Sequence, residues 1–411
     1  MTEPGKPPKI LFVSTLYYPH HVGGAEATVR MLAEAAAARG QEVVVVTLAP
    51  DGREAEDVVN GVKVVYLPLA NLFFLHGPGR KPRWLRPLWH LIDAWNPVMA
   101  RRLGRVLDRE KPDVVNLHNV QGFSVAAWGA VARRGIPVVQ TLHDYYTGCA
   151  NSSMFRHGRN CERPCAACVA LGTPRRRLSR HAAVVTTVSR RLFERIRAAG
   201  VYAGVGDVRV IHNCNAGEAQ VPREPPRPGR PLRFGFLGRL EPVKGLELLL
   251  DTVASLPDGR AVAIVGGTGA PEYEAAVRGR YEGPGVRFLG WVDPPRFFQE
   301  IDVLVVPSIW EEPLSRVSHE AMGYGVPVVG ARTGGIPEIV RDGDTGFLFK
   351  AGDADDLARV LRGLIEAPPD WAALSERCRS HAESFRLEPV FESYRAAWED
   401  AATRRAPRRA A

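Results

Sequence analysis

The sequence predicts an α/β protein of two Rossmann-like, doubly wound domains that face each other across a cleft, and three observations carry that expectation. Valine-rich apolar runs alternate with helical patterns, as strands buried on both faces of a parallel sheet require. A Pro- and Arg-rich stretch, Val221-Pro-Arg-Glu-Pro-Pro-Arg-Pro-Gly-Arg-Pro231, interrupts the alternation, which then restarts. The chain has 411 residues, more than one hydrophobic core ordinarily supports.

The first unit of the pattern is βαβ: a strand Lys9–Thr15, a helix Ala25–Arg39 closed by Gly40, and a strand Glu42–Thr47. Further strands are expected at Val62–Leu67, Asp113–His118, Pro137–His143, Ala183–Ser189 and Val208–Asn213. Beyond the linker, strands are expected at Leu232–Gly238, Ala261–Gly266, Val286–Leu289, Asp302–Pro307 and Pro327–Gly330. The expected domains are 1–221, with a Cys-rich insertion at 149–168, and 222–385. Residues 386–411 are expected to form a helix crossing back towards the first domain and a disordered basic tail. Ligands of such sheets bind beyond the carboxyl ends of the strands, which puts the expected site in the cleft.

Composition narrows the class. With 45% hydrophobic and 24% charged residues the chain is that of an ordinary globular protein. No segment approaches the ~20 apolar residues of a membrane span, and the opening MTEPGKPPKI lacks the apolar region of a signal peptide, so the protein is expected in the cytoplasm. Net charge is +9, unevenly spread: residues 1–221 hold 29 Lys and Arg against 17 Asp and Glu, and the rest hold 25 against 28. A basic first half suits nucleic acid, anionic lipid or a phosphorylated acceptor.

The most informative short motif is Glu312-Pro-Leu-Ser-Arg-Val-Ser-His-Glu320, directly after the strand Asp302–Pro307 and before a small-residue helix. Pro313 suits the first turn of that helix, which leaves Glu312 in the loop and puts Glu320 inside the helix. A diphosphate at the helix N-terminus would meet the N–H groups of Leu314 and Ser315 and the positive end of the dipole, with the two carboxylates free to accept from sugar and ribose hydroxyls. The spacing alone fits a capped, solvent-facing helix equally well. The loop Gly238-Arg-Leu-Glu-Pro-Val-Lys-Gly245 weighs against that, because Arg239 and Lys244 supply phosphate-binding cations at the end of another strand of the same sheet. Gly266-Gly-Thr-Gly269 reads as a tight turn rather than a phosphate loop.

Taken together, Gly238-Arg-Leu with Lys244-Gly245, Pro307-Ser-Ile-Trp-Glu-Glu-Pro-Leu314, Glu320-Ala-Met-Gly-Tyr-Gly-Val-Pro-Val-Val329 and Gly334-Gly-Ile-Pro-Glu-Ile-Val340 resemble glycosyltransferase family 4, with its retaining enzymes and GT-B architecture. The resemblance runs from about residue 9 to residue 385. It implies a hexose carried by a nucleotide diphosphate as donor and a hydroxyl acceptor, a lipid-linked or cell-surface glycan intermediate. It also implies Arg239 and Lys244 as the diphosphate clamp, Glu320 at the ribose, Glu312 at the donor sugar, and the Leu314 and Ser315 amides at the phosphates. Gly23 and Gly24 look like the family's mobile glycine turn, and His143 like the histidine beside the transferred sugar. No Asp-x-Asp motif stands at a strand end in the expected cleft, so no catalytic Mg²⁺ is expected. A sugar-nucleotide epimerase or glycan phosphorylase of similar fold remains as an alternative. A zinc-containing nucleic-acid-binding protein is the distant one; Glu312, Glu320 and the lack of a nucleic-acid motif argue against it, and no nucleic acid is expected.

Two segments within that span are not general features of the family. Cys149, Cys161, Cys165 and Cys168, with Gly158 and Pro164 for turns, have the spacing of a structural zinc site; an iron–sulfur cluster and unligated thiols stay open. Cys214 and Cys378 are expected as buried thiols. In Phe73–Leu107, tryptophans and leucines interleave with arginines, a pattern that suits either an anionic membrane surface, as for a peripheral protein on the inner face, or core packing.

Overall fold

The structure, a computed structural model, describes residues 7–20, 23–75, 82–215, 226, 229–257 and 259–404. The linker placed at 221–231 lies largely, and the basic tail 405–411 wholly, outside the described residues. The chain divides into two compact units: Met1–Met154 with Cys161–Ala216 and Leu387–Ala411, and Phe155–Asn160 with Gly217–Arg386.

The first unit carries strands β1 (Ile10–Val13), β2 (Val43–Leu48), β3 (Ala55–Val59), β4 (Val62–Leu67), β5 (Val114–Leu117) and β6 (Val138–Leu142). A short hairpin, β7 (Phe155–Arg156) and β8 (Arg159–Asn160), precedes β9 (Ala182–Thr187) and β10 (Val208–Val210). The main sheet runs β10-β9-β6-β5-β1-β2-β4-β3, and only β3 is antiparallel to its neighbour. Every residue of β1, β2, β5 and β6 is buried, as the valine runs require. The sequence reading missed β3, whose Ala-Glu-Asp-Val-Val is exposed and lacks an apolar run. Its signal was the turn: Asn60 and Gly61 both adopt positive φ, 50° and 80°, which a two-residue hairpin demands.

The second unit holds β11 (Leu232–Leu237), β12 (Ala261–Gly266), β13 (Val286–Gly290), β14 (Val303–Val306), β15 (Val328–Ala331) and β16 (Gly346–Phe349), in the order β13-β12-β11-β14-β15-β16. All of its pairings are parallel. The chain moves outward from β11 in one direction and from β14 in the other, so the order reverses between these two neighbours. In the first sheet the reversal falls between β1 and β5. Loops leaving the carboxyl ends of such strand pairs open a crevice for ligands.

The chain ends in three helices. Ala354–Glu366 and Trp371–Ala382 belong to the second unit, each started by an aspartate, Asp353 or Asp370, that accepts from N–H groups of its first turn. Leu387–Thr403 belongs to the first unit. Its Trp398 is fully buried, meets Phe12 edge-on at 5.5 Å between ring centroids, and donates from Nε1 to Asn116 Oδ1 at 2.8 Å. Among the described residues no helix is long and apolar enough to cross a membrane.

Candidate active site

In the second unit the two loops at the sheet's point of reversal lock together through backbone. Ile309 donates its N–H to the carbonyl of Val243 at 3.1 Å, tying the loop after β14 to the loop after β11. Gly245 adopts φ 71°, and a Cβ there would stand 2.0 Å from the Pro307 oxygen, so only glycine lets the two loops approach this closely. The consequence is an ion pair between residues 68 apart in sequence: Lys244 Nζ lies 2.9 Å from Glu312 Oε1. Ser308 donates its hydroxyl to the same carboxylate oxygen. The ammonium also lies 5.5 Å from the ring centroid of Trp310. Glu312 is 6% exposed. A buried carboxylate at this position is tolerable because a cation and a hydroxyl both address it. One ammonium hydrogen serves Glu312, and two remain for a ligand.

The Glu312 backbone is fixed from two further sides. Its carbonyl accepts from the Gly335 N–H at 2.8 Å, and Gly334, at φ 56°, leaves room where a Cβ would lie 2.1 Å from that carbonyl oxygen. Asn160, at the end of the hairpin that groups with this unit, donates from Nδ2 to the Ile309 carbonyl at 3.0 Å and accepts from the Glu311 N–H at 2.9 Å. Replacing Gly334 with alanine should therefore push Glu312 off its position. We expect turnover at least ~10-fold lower and a stability loss of about 1–3 kcal/mol, read from kcat and urea unfolding. Wild-type kcat in this variant would show that the placement of Glu312 is not needed.

The helix after this loop starts later than expected. It spans Arg316–Gly323, so Pro313 and Leu314 belong to the loop and Ser315 is the cap position. With Ser315 as the cap, its own amide and those of Arg316 and Val317 are left without a helical partner, while the Ser318 N–H goes to the Ser315 carbonyl at 3.2 Å. A proline followed by small residues reads as a helix start in sequence; here Pro313 sits in a bend and the helix waits for Ser315, whose hydroxyl accepts from Ser318 Oγ at 2.7 Å. Glu320 lies inside the helix and pairs with Arg316 at 2.9 Å, one turn earlier. Burial raises its carboxyl above the usual range, and Arg316 offsets part of the rise. Arg239 stands apart from Lys244: its side chain is 70% exposed and meets Glu241 at 3.4 Å.

In the first unit, Gly23 precedes the helix Gly24–Ala38 in extended backbone and donates its N–H to Glu26 Oε2 at 3.0 Å, half of a capping box. Gly24 accepts from the Thr28 hydroxyl at 3.0 Å. The loop after β1 is tied to the loop after β5 by the Thr15 hydroxyl, which donates to the carbonyl of Gln121 at 2.8 Å. His143 follows β6 and His118 follows the adjacent β5. Their rings stack at 5.2 Å, with His118 Nδ1 at 2.9 Å from His143 Nε2. The sequence reading singled out His143 and passed over His118, although both end neighbouring strands of one sheet.

Burial, and behind it His143, holds the fully enclosed His118 well below its ordinary pKa of 6.5. Because the folded value is depressed, the unfolded chain takes up a proton that folded His118 refuses. The contribution of this ring is intact above pH 6.5 and is lost as the pH falls below it. Relative to His118→Phe, the wild type should lose about 1.4 kcal/mol per pH unit below that point in urea unfolding. Parallel pH curves for the two proteins would refute a neutral His118.

The cysteines are placed unevenly. Cys149 and Cys168 are buried with their sulfurs 3.7 Å apart, and Cys165 occupies the cap position of the helix Ala166–Leu171. The Cys168 thiol, and behind it the N–H groups of Met154, Asn151 and Ser153, stabilise a Cys149 thiolate and lower its pKa to about 5. The Cys165 thiol is lowered too, chiefly by the Cys168 N–H, while Cys168 itself is pushed up. Among the described residues, no group of three or more His, Cys, Asp or Glu side chains is already gathered as a metal site. Cys214 and Cys378 are buried.

Comparison with known proteins agrees with this architecture. Residues 23–214 match the family described as "Glycosyl transferase 4-like domain", and residues 231–367 match "Glycosyl transferases group 1". The chain is a glycosyltransferase of the GT-B fold. An uncharacterized 42.6 kDa protein in the cps region of Klebsiella pneumoniae is 28% identical over 81% of this chain and 87% of its own length. Among solved structures, sucrose-phosphate synthase from Thermosynechococcus elongatus superposes with a TM-score of 0.73 at 20% identity, covering 96% of this chain and 98% of that one. HepE of Anabaena, in complex with UDP-glucose, gives a TM-score of 0.68 at 22% identity over 96% of this chain and all of its own.

Proposed function

We propose that the protein transfers a hexose, with retention of configuration, from a nucleotide-diphosphate sugar to a hydroxyl of a lipid-linked or cell-surface glycan intermediate. The observation that carries this reading is the Lys244–Glu312 pair at the reversal point of the second sheet. It sets a cation for a diphosphate beside a carboxylate for sugar hydroxyls at the start of a helix. UDP-glucose in HepE and the cps-region relative support the donor class and the glycan setting.

In this mechanism Lys244, with Arg239 swinging in from solvent, binds the diphosphate, and the amides of Leu314 and Ser315, at the start of the helix, add the helix dipole. Glu320 accepts from ribose hydroxyls. Glu312 orients the sugar rather than attacking it, and His143 is assigned as an acceptor for a sugar hydroxyl. Gly23 and Gly24 let backbone approach the ligand. The bond from the anomeric carbon to phosphate oxygen breaks through an oxocarbenium-like state. The acceptor oxygen then bonds to the same face and gives its proton to the leaving diphosphate. The diphosphate charge is met without Mg²⁺. Cys149, Cys161, Cys165 and Cys168 would hold one structural zinc as thiolate ligands; Cys149 and Cys168, with sulfurs 3.7 Å apart, are already close, and Cys161 and Cys165 would have to move in. The enzyme works from the cytoplasmic face of a membrane that carries its acceptor.

Thermal-shift screening against nucleotide diphosphates and their sugars tests the donor site, since a ligand at about 100 Kd adds ~2.7 kcal/mol. Proton NMR of the product then tests retention. No shift with any nucleotide, or an inverted product, overturns the respective half of the reading. Zinc is tested by metal analysis of the purified protein with thiol titration; four titrating thiols and no zinc would dismiss it.

A further inference from the structure

The helix Arg86–Ala94 and the residues at its two ends carry large apolar side chains on the exposed side as well as the buried one. In the helix Arg86–Ala94, Trp89 and Asp93 face inward and are buried. Trp89 donates from Nε1 to the Phe73 carbonyl at 2.9 Å. Asp93 accepts from the Tyr146 hydroxyl at 2.7 Å and the Gly122 N–H at 2.6 Å. These anchors fix the orientation of the opposite face. There Trp84, in the 3-10 turn before the helix, Leu88 and Leu91, three residues apart on one helical face, and Trp95, the extended residue that closes the helix, follow one another along the chain. They are 79, 46, 59 and 46% exposed, and Val98, at the start of the next helix, is 44% exposed. Such a run of large apolar side chains marks a docking surface.

The helix Pro97–Glu110 continues the exposed line with a different chemistry. After Val98, two of its solvent-facing positions are Arg101 and Arg105, and neither makes an ion pair among the described residues. Two tryptophans and two leucines followed by uncompensated guanidinium groups complement an anionic bilayer. The rings would sit at headgroup depth and the cations at the phosphates. We propose that this exposed run is the surface by which the protein docks on an anionic membrane. The proposal deepens the peripheral reading given above and names the residues that perform it.

The test is co-sedimentation of the full-length protein with vesicles of phosphatidylcholine alone and of phosphatidylcholine with about a third phosphatidylglycerol. The wild type should bind the anionic vesicles, release in high salt, and show blue-shifted tryptophan emission. Trp84→Ser with Leu91→Ser, and separately Arg101→Glu with Arg105→Glu, should each weaken binding at least about tenfold. Both pairs are exposed, so the fold is not at stake, and the nucleotide-induced thermal shift should be unchanged in each. Absence of vesicle binding, equal binding by the variants, or a wild-type dimer in light scattering that Trp84→Ser with Leu91→Ser splits would overturn the proposal. Absence of a thermal shift with any nucleotide or sugar nucleotide in the wild type would instead count against the transferase reading, leaving the vesicle result intact.

Discussion

Replacing Lys244 with alanine is expected to lower kcat/KM for sugar transfer about 30- to 1000-fold, or ~2–4 kcal/mol of transition-state stabilisation. The size follows from what the ammonium would do: it meets charge that grows on the departing diphosphate, in a place where water is largely replaced by protein. The substitution has a second consequence, because it leaves Glu312, 6% exposed, with the Ser308 hydroxyl and no cation. Part of any loss could then be structural, so the decisive companion is Lys244→Ala combined with Glu312→Gln. That double variant removes the buried charge along with its partner and should regain stability in urea unfolding without regaining turnover. If it recovered activity, the pair would be a structural clamp and the diphosphate would bind elsewhere.

Trp398→Ala is expected to destabilise the first unit by about 3–5 kcal/mol, the range for a large buried aromatic. The indole is fully enclosed, packs against Phe12, Phe391 and Tyr394, and satisfies the buried Asn116 carboxamide. Alanine would leave a cavity and an orphaned polar atom together, and the second adds to the first. Trp398→Phe keeps most of the volume and should cost much less. A loss of unfolding free energy below about 1 kcal/mol for the alanine variant, read from the urea midpoint and slope, would mean the helix Leu387–Thr403 is not part of that core.

The parts of the fold legible in sequence share one physical cause. Strands such as Val43–Leu48 and Val303–Val306 are buried on both faces, so their apolar runs are unbroken and need no partner to be recognised. The edge strand Ala55–Val59 escaped because it faces water and its apolar content is low, although the Asn60-Gly61 turn announced it. Lys244, Glu312 and Glu320 stood out because each sits near a glycine or proline where a strand gives way to a helix, a local event. Asn160 gave no such sign, since its partners Ile309 and Glu311 lie 149 and 151 residues further along the chain. The start of the helix at Arg316 was misplaced for a related reason: proline permits a first turn but does not compel one, and the loop's tertiary bonds held Pro313 outside it.

The amino-acid sequence by itself determined the class of fold, the two parallel sheets and the residue types gathered at their strand ends, because periodicity and turn chemistry act over a few residues. Only the tertiary structure decided that Lys244 pairs with Glu312, that His118 stacks on His143, and that Trp84 and Trp95 face solvent while Trp89 lies buried between them in sequence. Those are outcomes of register, strand order and helix rotation. Each is set by burying the whole apolar surface at once, and no window of the sequence contains that sum.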